Sequence, residues 1–327
     1  MTPINVDSPT TFRDFALHWL LEYAELQLER KTISSYRAEL NSKILPTIGH
    51  IELTKLQPLH LMQLYSNLVK AETRLDGKPG TYSTRTIKYC HNIVSSILQT
   101  AVYWQMIPDN PAKRVKPPKG KTMPKKQNYF DDEQAIVFLD FIEDAPLKYK
   151  VLIHIAVYGG LRLEEVLPLT WDDFNFNDYT VDINKALSYV DGEQFIKETT
   201  KNAGSTRRIT LPTHIFDLLD EYRPYASSTR IFDMHYSTPG HWLKKTIARH
   251  NKCHGRKLPM ISFHGLRHTN ATLLISQGID PRTVSGRLGH RNVSTTLNIY
   301  SHYIKSKDVA ASETLSVLLD GNRSKKA

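Results

Sequence analysis

The sequence predicts a mainly α-helical protein with a small antiparallel β-sheet, an α+β chain with two domains. Three observations lead to this class. Residues 10–110 place apolar side chains at helical spacing, the residues after Asp131 mix helical and short strand-like patterns, and 327 residues exceed the usual length of one domain. We therefore expect a helical first domain and a mixed second domain.

Four helices are predicted in the first part of the chain. Residues 11–28 place Phe12, Phe15 and Trp19 on one face, with spacings of three and four. A proline suits the first turn of a helix because its missing N–H is not needed there, and prolines also stop helices. The predicted helices span residues 11–28, 33–44, 58–69 and 83–107.

Residues 112–126 are predicted to be a linker, because they combine seven basic residues with three prolines. Prolines oppose regular structure, and the charges repel one another until a polyanion lies alongside. A solvated hinge is the alternative.

The second part of the chain predicts a small antiparallel sheet among helices. Strand-like patterns cover residues 179–184, 194–198 and 207–211, and turn residues stand at 191–192 and 202–204. Helical patterns cover residues 131–144, 147–158, 162–169, 214–225, 239–251, 265–277, 281–288 and 293–300.

The composition favours a nucleic-acid partner. The formal net charge is +10, and basic residues recur through both halves without forming a strongly amphipathic basic helix that would suggest a membrane surface. No apolar run reaches the length of a spanning helix, and no signal peptide is evident. We expect a soluble, cytoplasmic protein whose two cysteines, Cys90 and Cys253, are reduced.

Several short motifs carry the chemistry. A Tyr lies ten residues after a Gly-His pair and 33 residues after the Arg of His-Gly-Leu-Arg; a second Arg follows Gly-Gly-Leu, and a Lys stands in Thr-Lys-Asn-Ala-Gly-Ser-Thr-Arg-Arg. Together these motifs resemble the active site of the tyrosine recombinases, the phage integrase family, over about residues 10–305. The residues concerned are Arg162, Glu165, Lys201, His264, Arg267, His290 and Tyr300.

The resemblance implies four segments. A helical SAM-like core-binding domain would span residues 1–111, the basic linker 112–126, the tyrosine-recombinase catalytic domain 127–305 and a C-terminal segment 306–327. That last segment would dock on a neighbouring subunit or, alternatively, pack against its own domain. Only some ten residues precede the first predicted helix, too few for the arm-binding domain of many integrases.

The resemblance also implies transesterification of DNA. A tyrosine hydroxyl attacks a phosphodiester, which leaves a 3'-phosphotyrosyl bond and a free 5'-hydroxyl, so the reaction requires no nucleotide cofactor and no metal. Negative charge on the nonbridging oxygens must then be neutralised by fixed donors, and arginine suits this because it is always charged and bidentate. Arg162 and Arg267 match the two arginine positions of the family.

The remaining roles follow from the same resemblance. Tyr300 would be the nucleophile, His264 the general base or a phosphate donor, and His290 the second histidine. Lys201 would be the general acid that protonates the 5'-oxygen. Glu165 would orient the arginine rather than react.

Rival assignments exist for two of these roles. Lys197 competes with Lys201 as the general acid, and Tyr303 competes with Tyr300 as the nucleophile. Two histidine clusters invite a zinc interpretation, which we reject because neither has the complementary ligands of a known zinc pattern; they are His264 with His268, and His250 with Cys253 and His254.

The predicted function is site-specific recombination, for integration or excision of a phage or other mobile element. The expected partners are double-stranded attachment sites, three further copies of the chain in a synaptic tetramer, and a directionality factor or host architectural protein; no membrane is involved. Alternatives are a catalytically silent DNA-binding protein, a Xer-like resolvase, and a type IB topoisomerase.

Overall fold

The computed structural model describes residues 10–70, 80–119, 127–198, 206–226, 228–290 and 312. The chain separates into two compact units, residues 1–124 and 125–327. The described residues are mostly helical with small antiparallel sheets, which confirms the predicted fold class.

The first unit is a helical bundle around one apolar core. Its core includes Phe12, Phe15, Trp19, Leu64 and Ile97, all almost fully buried. Its helices are α1 (Phe12–His18), α2 (Glu25–Gln27), α3 (Arg30–Glu39), α4 (Leu45–Ile48), α5 (Pro58–Val69) and α6 (Thr84–Tyr103).

Two π-helical stretches widen the first helices of this unit. Trp19–Ala24 joins α1 to α2, and Leu40–Ile44 joins α3 to α4, so the predicted helices 11–28 and 33–44 are continuous but not regular. Trp19 is buried in the first stretch, and its Nε1 donates to Thr100 Oγ1 at 2.9 Å. This bond gives the indole a polar partner inside the core.

The predicted boundaries of α5 are confirmed, whereas the helix predicted over residues 83–107 is longer than α6. Helix α6 ends at Tyr103 because Trp104 leaves the helical region and Gln105 takes a positive φ of 58°. The short 3₁₀ helix Pro111–Arg114 follows, with Ala112 buried in the core of the first unit. The beginning of the predicted linker therefore packs on this unit.

The second unit builds helices around a core of its own. Helix α8 is buried on nearly every side, as its almost continuous apolar sequence requires. The helices are α7 (Asp132–Phe141), α8 (Leu147–Gly159), α9 (Leu163–Val166), α10 (Thr213–Tyr222), α11 (Thr238–Cys253), α12 (Phe263–Ser276) and α13 (Pro281–Leu288).

The strands form two sheets among the described residues, whereas the sequence predicted one. Strands β1 (Phe174–Asn175), β2 (Thr180–Ile183) and β5 (Arg207–Thr210) make an antiparallel sheet in the order β1-β2-β5, and β3 (Lys185–Val190) pairs with β4 (Glu193–Glu198). The hairpin turns at Asp191 and Gly192, both with positive φ, as predicted. No strand was predicted at β1 or β3.

A small satellite cluster joins α13 to α12. It consists of Ala271 and Ile275 on α12, and Val284 and Leu288 on α13. Since α13 leads directly to His290, this cluster helps to place that histidine. No helix in the described ranges is both long and apolar enough to cross a membrane.

Candidate active site

A left-handed glycine places Arg162 at the start of α9. Helix α8 ends at Gly159, and Gly160 turns the chain with a φ of +61°. Leu161 is fully buried, which anchors the turn, and Arg162 becomes the N-cap residue of α9. Its backbone N–H donates to Glu165 Oε2 at 2.9 Å, and its Nη1 donates to Glu165 Oε1 at 2.6 Å.

Glu165 is the carboxylate on which three arginines converge. Its side chain is 8% exposed and accepts the bonds from Arg162 given above. Arg207 also binds it, because Nη1 and Nη2 donate to the two carboxylate oxygens at 3.1 and 2.9 Å. Arg267 Nη1 lies 3.9 Å from Glu165 Oε2. Burial alone would raise the pKa of Glu165, but the hydrogen bonds and charges of Arg207 and Arg162 outweigh it and lower the pKa.

Arg267 comes to this carboxylate from α12. Its side chain is 1% exposed, and its Nη1 donates to the carbonyl oxygen of Gly160 at 3.0 Å. One turn later, Asn270 Nδ2 donates to the carbonyl oxygens of Val157 and Tyr158 at 2.8 and 3.1 Å. These bonds satisfy carbonyls at the end of α8 that have no partner within the helix. They join the two arginine motifs, since Arg267 and Gly160 lie 107 residues apart in the sequence.

His264 occupies the first turn of α12, because this helix begins at Phe263, two residues earlier than predicted. Its ring meets that of His268 edge-on, with centroids 4.6 Å apart. His264 keeps an exposed surface, yet partial burial and then the charges of Arg267 and Arg162 lower its pKa. Burial, followed by the nearby His264 and Arg267, lowers the pKa of His268 to about 4.

His290 follows the C-terminal cap of α13. Gly289 ends the helix with a φ of +65°, and the His290 N–H donates to Ser285 O at 3.0 Å. Arg162 Nη2 lies 3.4 Å from the Gly289 carbonyl oxygen, which it binds. Burial and then the charges of Arg267 and Arg162 lower the pKa of His290 to about 4. The structure therefore brings Arg162, His264 and Arg267 together around Glu165, with His290 beside the two arginines.

Lys201 and Tyr300 lie outside the described residues, as do Tyr303 and the predicted helix 293–300. In the sequence, Lys201 lies between β4 and β5, and β5 begins with Arg207. Its rival Lys197 is on β4, with its Nζ 5.8 Å from the centroid of the Phe195 ring.

Three further residues build this site although no role was predicted for them from the sequence, namely Arg207, Asn270 and Arg287. Arg207 shares the parity of buried Ile209 on β5, so strand alternation could have placed it on the inner face. Arg287 Nη2 donates to Tyr158 O at 3.0 Å and to Thr210 O at 2.9 Å. Nothing local in the sequence distinguishes Asn270 or Arg287 from ordinary helix-surface residues.

The second histidine cluster is a packing feature. The His250 and His254 rings stack with centroids 4.5 Å apart, and both meet Phe141 edge-on, while Cys253 is exposed. Over the part of the chain that the structure describes, no three His, Cys, Asp or Glu residues are grouped to hold a metal ion.

Replacing Gly160 by alanine should destabilise the second unit by about 2–4 kcal/mol, because the left-handed backbone disfavours a Cβ and the space is occupied. A Cβ there would lie 2.4 Å from Leu288 Cδ2 and 2.8 Å from Asn270 Oδ1. Gly278→Ala is the matched control, since its φ is +87° and a Cβ added there would meet no atom within 4 Å. Urea unfolding measures the free energy of unfolding of both variants. Equal losses of stability in the two variants would contradict the crowding at Gly160.

Acid should destabilise the protein through His268 and His290. Each imidazole has a pKa of 6.5 in the unfolded chain and of about 4 in the folded protein. Between these two pH values the unfolded chain therefore binds more protons than the folded one. The free energy of unfolding should fall as the pH drops from about 7 to about 5, by about 1 kcal/mol for each of these partly solvated histidines. Urea unfolding across this range tests it; His290→Asn should reduce the slope, and an unchanged slope would contradict the lowered pKa.

Comparison with known proteins identifies the family. The model of the Phage integrase family matches residues 128–307, and that of the phage integrase N-terminal SAM-like domain matches residues 11–69. The chain belongs to the phage integrase family. It is therefore a site-specific DNA recombinase of the tyrosine type, which confirms the predicted class of enzyme.

Two curated relatives illustrate the mobile-element character. The ICEBs1 integrase of Bacillus subtilis (strain 168) is 29% identical over 254 residues, which are 72% of this chain and 67% of the relative. The integrase of Staphylococcus phage L54a is 24% identical over 97% of each chain.

Solved structures share the fold. The Tn1549 transposon integrase in complex with transposon right end DNA aligns with a TM-score of 0.76 and 19% identity, covering 94% of this chain and 100% of that one. A lambda integrase dimer bound to a COC' core site aligns with a TM-score of 0.64 and 15% identity, covering 90% of this chain and 79% of that one.

Proposed function

We propose that this chain cleaves and rejoins DNA at attachment sites of a mobile element through a 3'-phosphotyrosine on Tyr300. The observation that carries the proposal is the convergence of Arg162 and Arg267 on Glu165, beside His264 and His290. Isolated arginines near helix ends are ordinary surface ion pairs. Here one is 1% exposed and the other 29% exposed, and they share a buried carboxylate.

The two arginines suit an anionic transition state. Charge grows on the nonbridging oxygens of the phosphate during attack, and preorganised cationic donors stabilise it without reorganising. Arg267 is held by the Gly160 carbonyl and Arg162 by Glu165, so both guanidinium groups are fixed before DNA arrives. One carboxylate against several arginines leaves net positive charge for the phosphate.

The histidines suit proton transfer or donation to the phosphate. Their lowered pKa values keep His264 and His290 neutral near pH 7 in the free protein. A neutral imidazole can accept the proton of a tyrosine hydroxyl or donate its own N–H. We assign His264 as the base or a phosphate donor, His290 as the second histidine, and Lys201 as the acid that protonates the 5'-oxygen, on the motifs alone for Lys201.

The proposed partners are double-stranded DNA and further copies of the chain. Structures of the Tn1549 and lambda integrases contain DNA, and a lambda integrase tetramer was solved on a Holliday junction. By analogy, we assign this chain a homotetramer on synapsed attachment sites, assisted by a directionality factor or host architectural protein, in the bacterial cytoplasm. The net charge of +10 supports a polyanionic partner.

Trapping of the covalent intermediate tests the proposal. The protein would be incubated without metal with end-labelled duplexes that cover the DNA flanking its gene, each carrying a nick so that the cleaved strand diffuses away. We expect an adduct that resists denaturation, maps to Tyr300 by mass spectrometry, and leaves a free 5'-hydroxyl. Bound duplex that never yields an adduct would favour a catalytically silent DNA-binding protein instead.

A further inference from the structure

We infer that Arg207 is a positioning residue for the cleavage reaction. It fixes the positions of Arg162 and Arg267 through Glu165, and the position of His290 through the end of α13. This role rests on the proposed function. Arg207 lies on β5, at the end of the motif that contains Lys201, but the family resemblance assigned it no role.

The contacts of Arg207 use every nitrogen of its guanidinium group. Nη1 and Nη2 donate to the two oxygens of Glu165, and Nε donates to the carbonyl oxygen of Arg287 at 2.7 Å. The side chain is 8% exposed. A planar fork that grips a carboxylate and a backbone carbonyl at once is geometry that only arginine supplies, since lysine offers a single nitrogen.

The bond to Arg287 links β5 to the segment that carries His290. Arg287 returns a bond to the same strand, because its Nη2 donates to Thr210 O at 2.9 Å. Arg207 and Arg287 therefore each donate a hydrogen bond to the other's element, which joins β5 to α13 at two points. Three residues after Arg287, the chain reaches His290, so a change at Arg207 should move this histidine as well as Glu165.

Arg207 also sets the charge of Glu165. Among the described residues, the charged or titratable groups that face Glu165 are Arg162 beside α9, Arg207 on β5, and Arg267 and His264 on α12. Arg207 outranks the others in opposing the effect of burial on the pKa of Glu165. Without Arg207, this pKa should rise, and a protonated Glu165 would hold Arg162 less firmly.

The neighbouring residue Arg208 is a matched control. It lies on the same strand with the opposite parity, 63% exposed, and its Nε and Nη2 bind the two oxygens of Asp182 at 2.8 and 2.7 Å. Arg208 thus makes the same kind of forked ion pair away from the candidate site. Substitution of either arginine removes one positive charge and one bidentate pair.

The test compares Arg207→Met, Arg207→Lys and Arg208→Met on nicked duplexes that wild type cleaves. Single-turnover adduct formation at saturating DNA should fall by about 100-fold in Arg207→Met, because small misplacements of reacting groups are costly. DNA affinity should change as little as in Arg208→Met, which should keep near wild-type cleavage. Arg207→Lys keeps the charge but not the fork, so it should recover only part of the rate.

The pH dependence distinguishes positioning from mere folding. Acid should stop cleavage as His264, His290 and Glu165 bind protons. Because loss of Arg207 raises the pKa of Glu165, the midpoint of this loss should be higher in Arg207→Met than in wild type. An unchanged midpoint, equal losses in the two methionine variants, or full rescue by lysine would overturn the role of Arg207 while leaving the cleavage reaction intact. If wild type forms no adduct on bound DNA, the proposed function falls and this role falls with it.

Discussion

Replacing Tyr300 by phenylalanine should abolish the covalent DNA adduct and leave DNA binding nearly unchanged. Phenylalanine lacks the hydroxyl oxygen that would bond to phosphorus, so the covalent bond cannot form at this residue. A free tyrosine has a pKa near 10, so only about one molecule in a thousand is ionised at pH 7. The neutral histidines and the paired arginines described above are what would make this hydroxyl reactive.

Tyr303→Phe is the matched control for this substitution, because it removes the same atom three residues later. It should keep the yield of adduct. Adduct yield on nicked duplexes and affinity by gel shift are the two measurements. If Tyr300→Phe still forms the adduct and Tyr303→Phe does not, the nucleophile is Tyr303; if both variants form it, the phosphotyrosine hypothesis is wrong for these residues.

Replacing Arg267 by alanine should slow DNA cleavage by about 100-fold or more, comparable with the loss of an oxyanion donor. The expected effect is large because this guanidinium is 1% exposed and already held by Gly160 O, so it would meet the phosphate preorganised. Its loss also removes a cation that lowers the pKa of His264 and His290. The rate of single-turnover cleavage at saturating DNA is the measurement.

Arg256→Ala provides the comparison for Arg267→Ala. Arg256 is 54% exposed and pairs with Glu133 on the surface of the same unit, and surface ion pairs contribute little. Thermal unfolding of both variants separates a loss of fold from a loss of chemistry. Full cleavage by a folded Arg267→Ala would remove this arginine from the phosphate site.

Local sequence patterns predicted most helices, because an apolar face at a spacing of three and four needs only near neighbours to specify it. Thus α5 and α13 begin and end as predicted, each with proline in its first turn. Strand β3 was missed because its apolar residues do not alternate clearly, and only Leu187 and Val190 on it are buried. Its pairing with β4 depends on a partner that lies beyond a turn, which a short window does not contain.

The sequence by itself determined the class of protein and, through the motifs of the family, predicted the candidate catalytic residues. Their residue types follow from the chemistry of a phosphodiester, and each stands in a short motif that can be recognised without its neighbours in space. The tertiary structure alone decided what supports them: Arg207 on Glu165, Asn270 on the end of α8, and Arg287 on β5. These bonds join segments up to 113 residues apart, and only folding makes such groups neighbours.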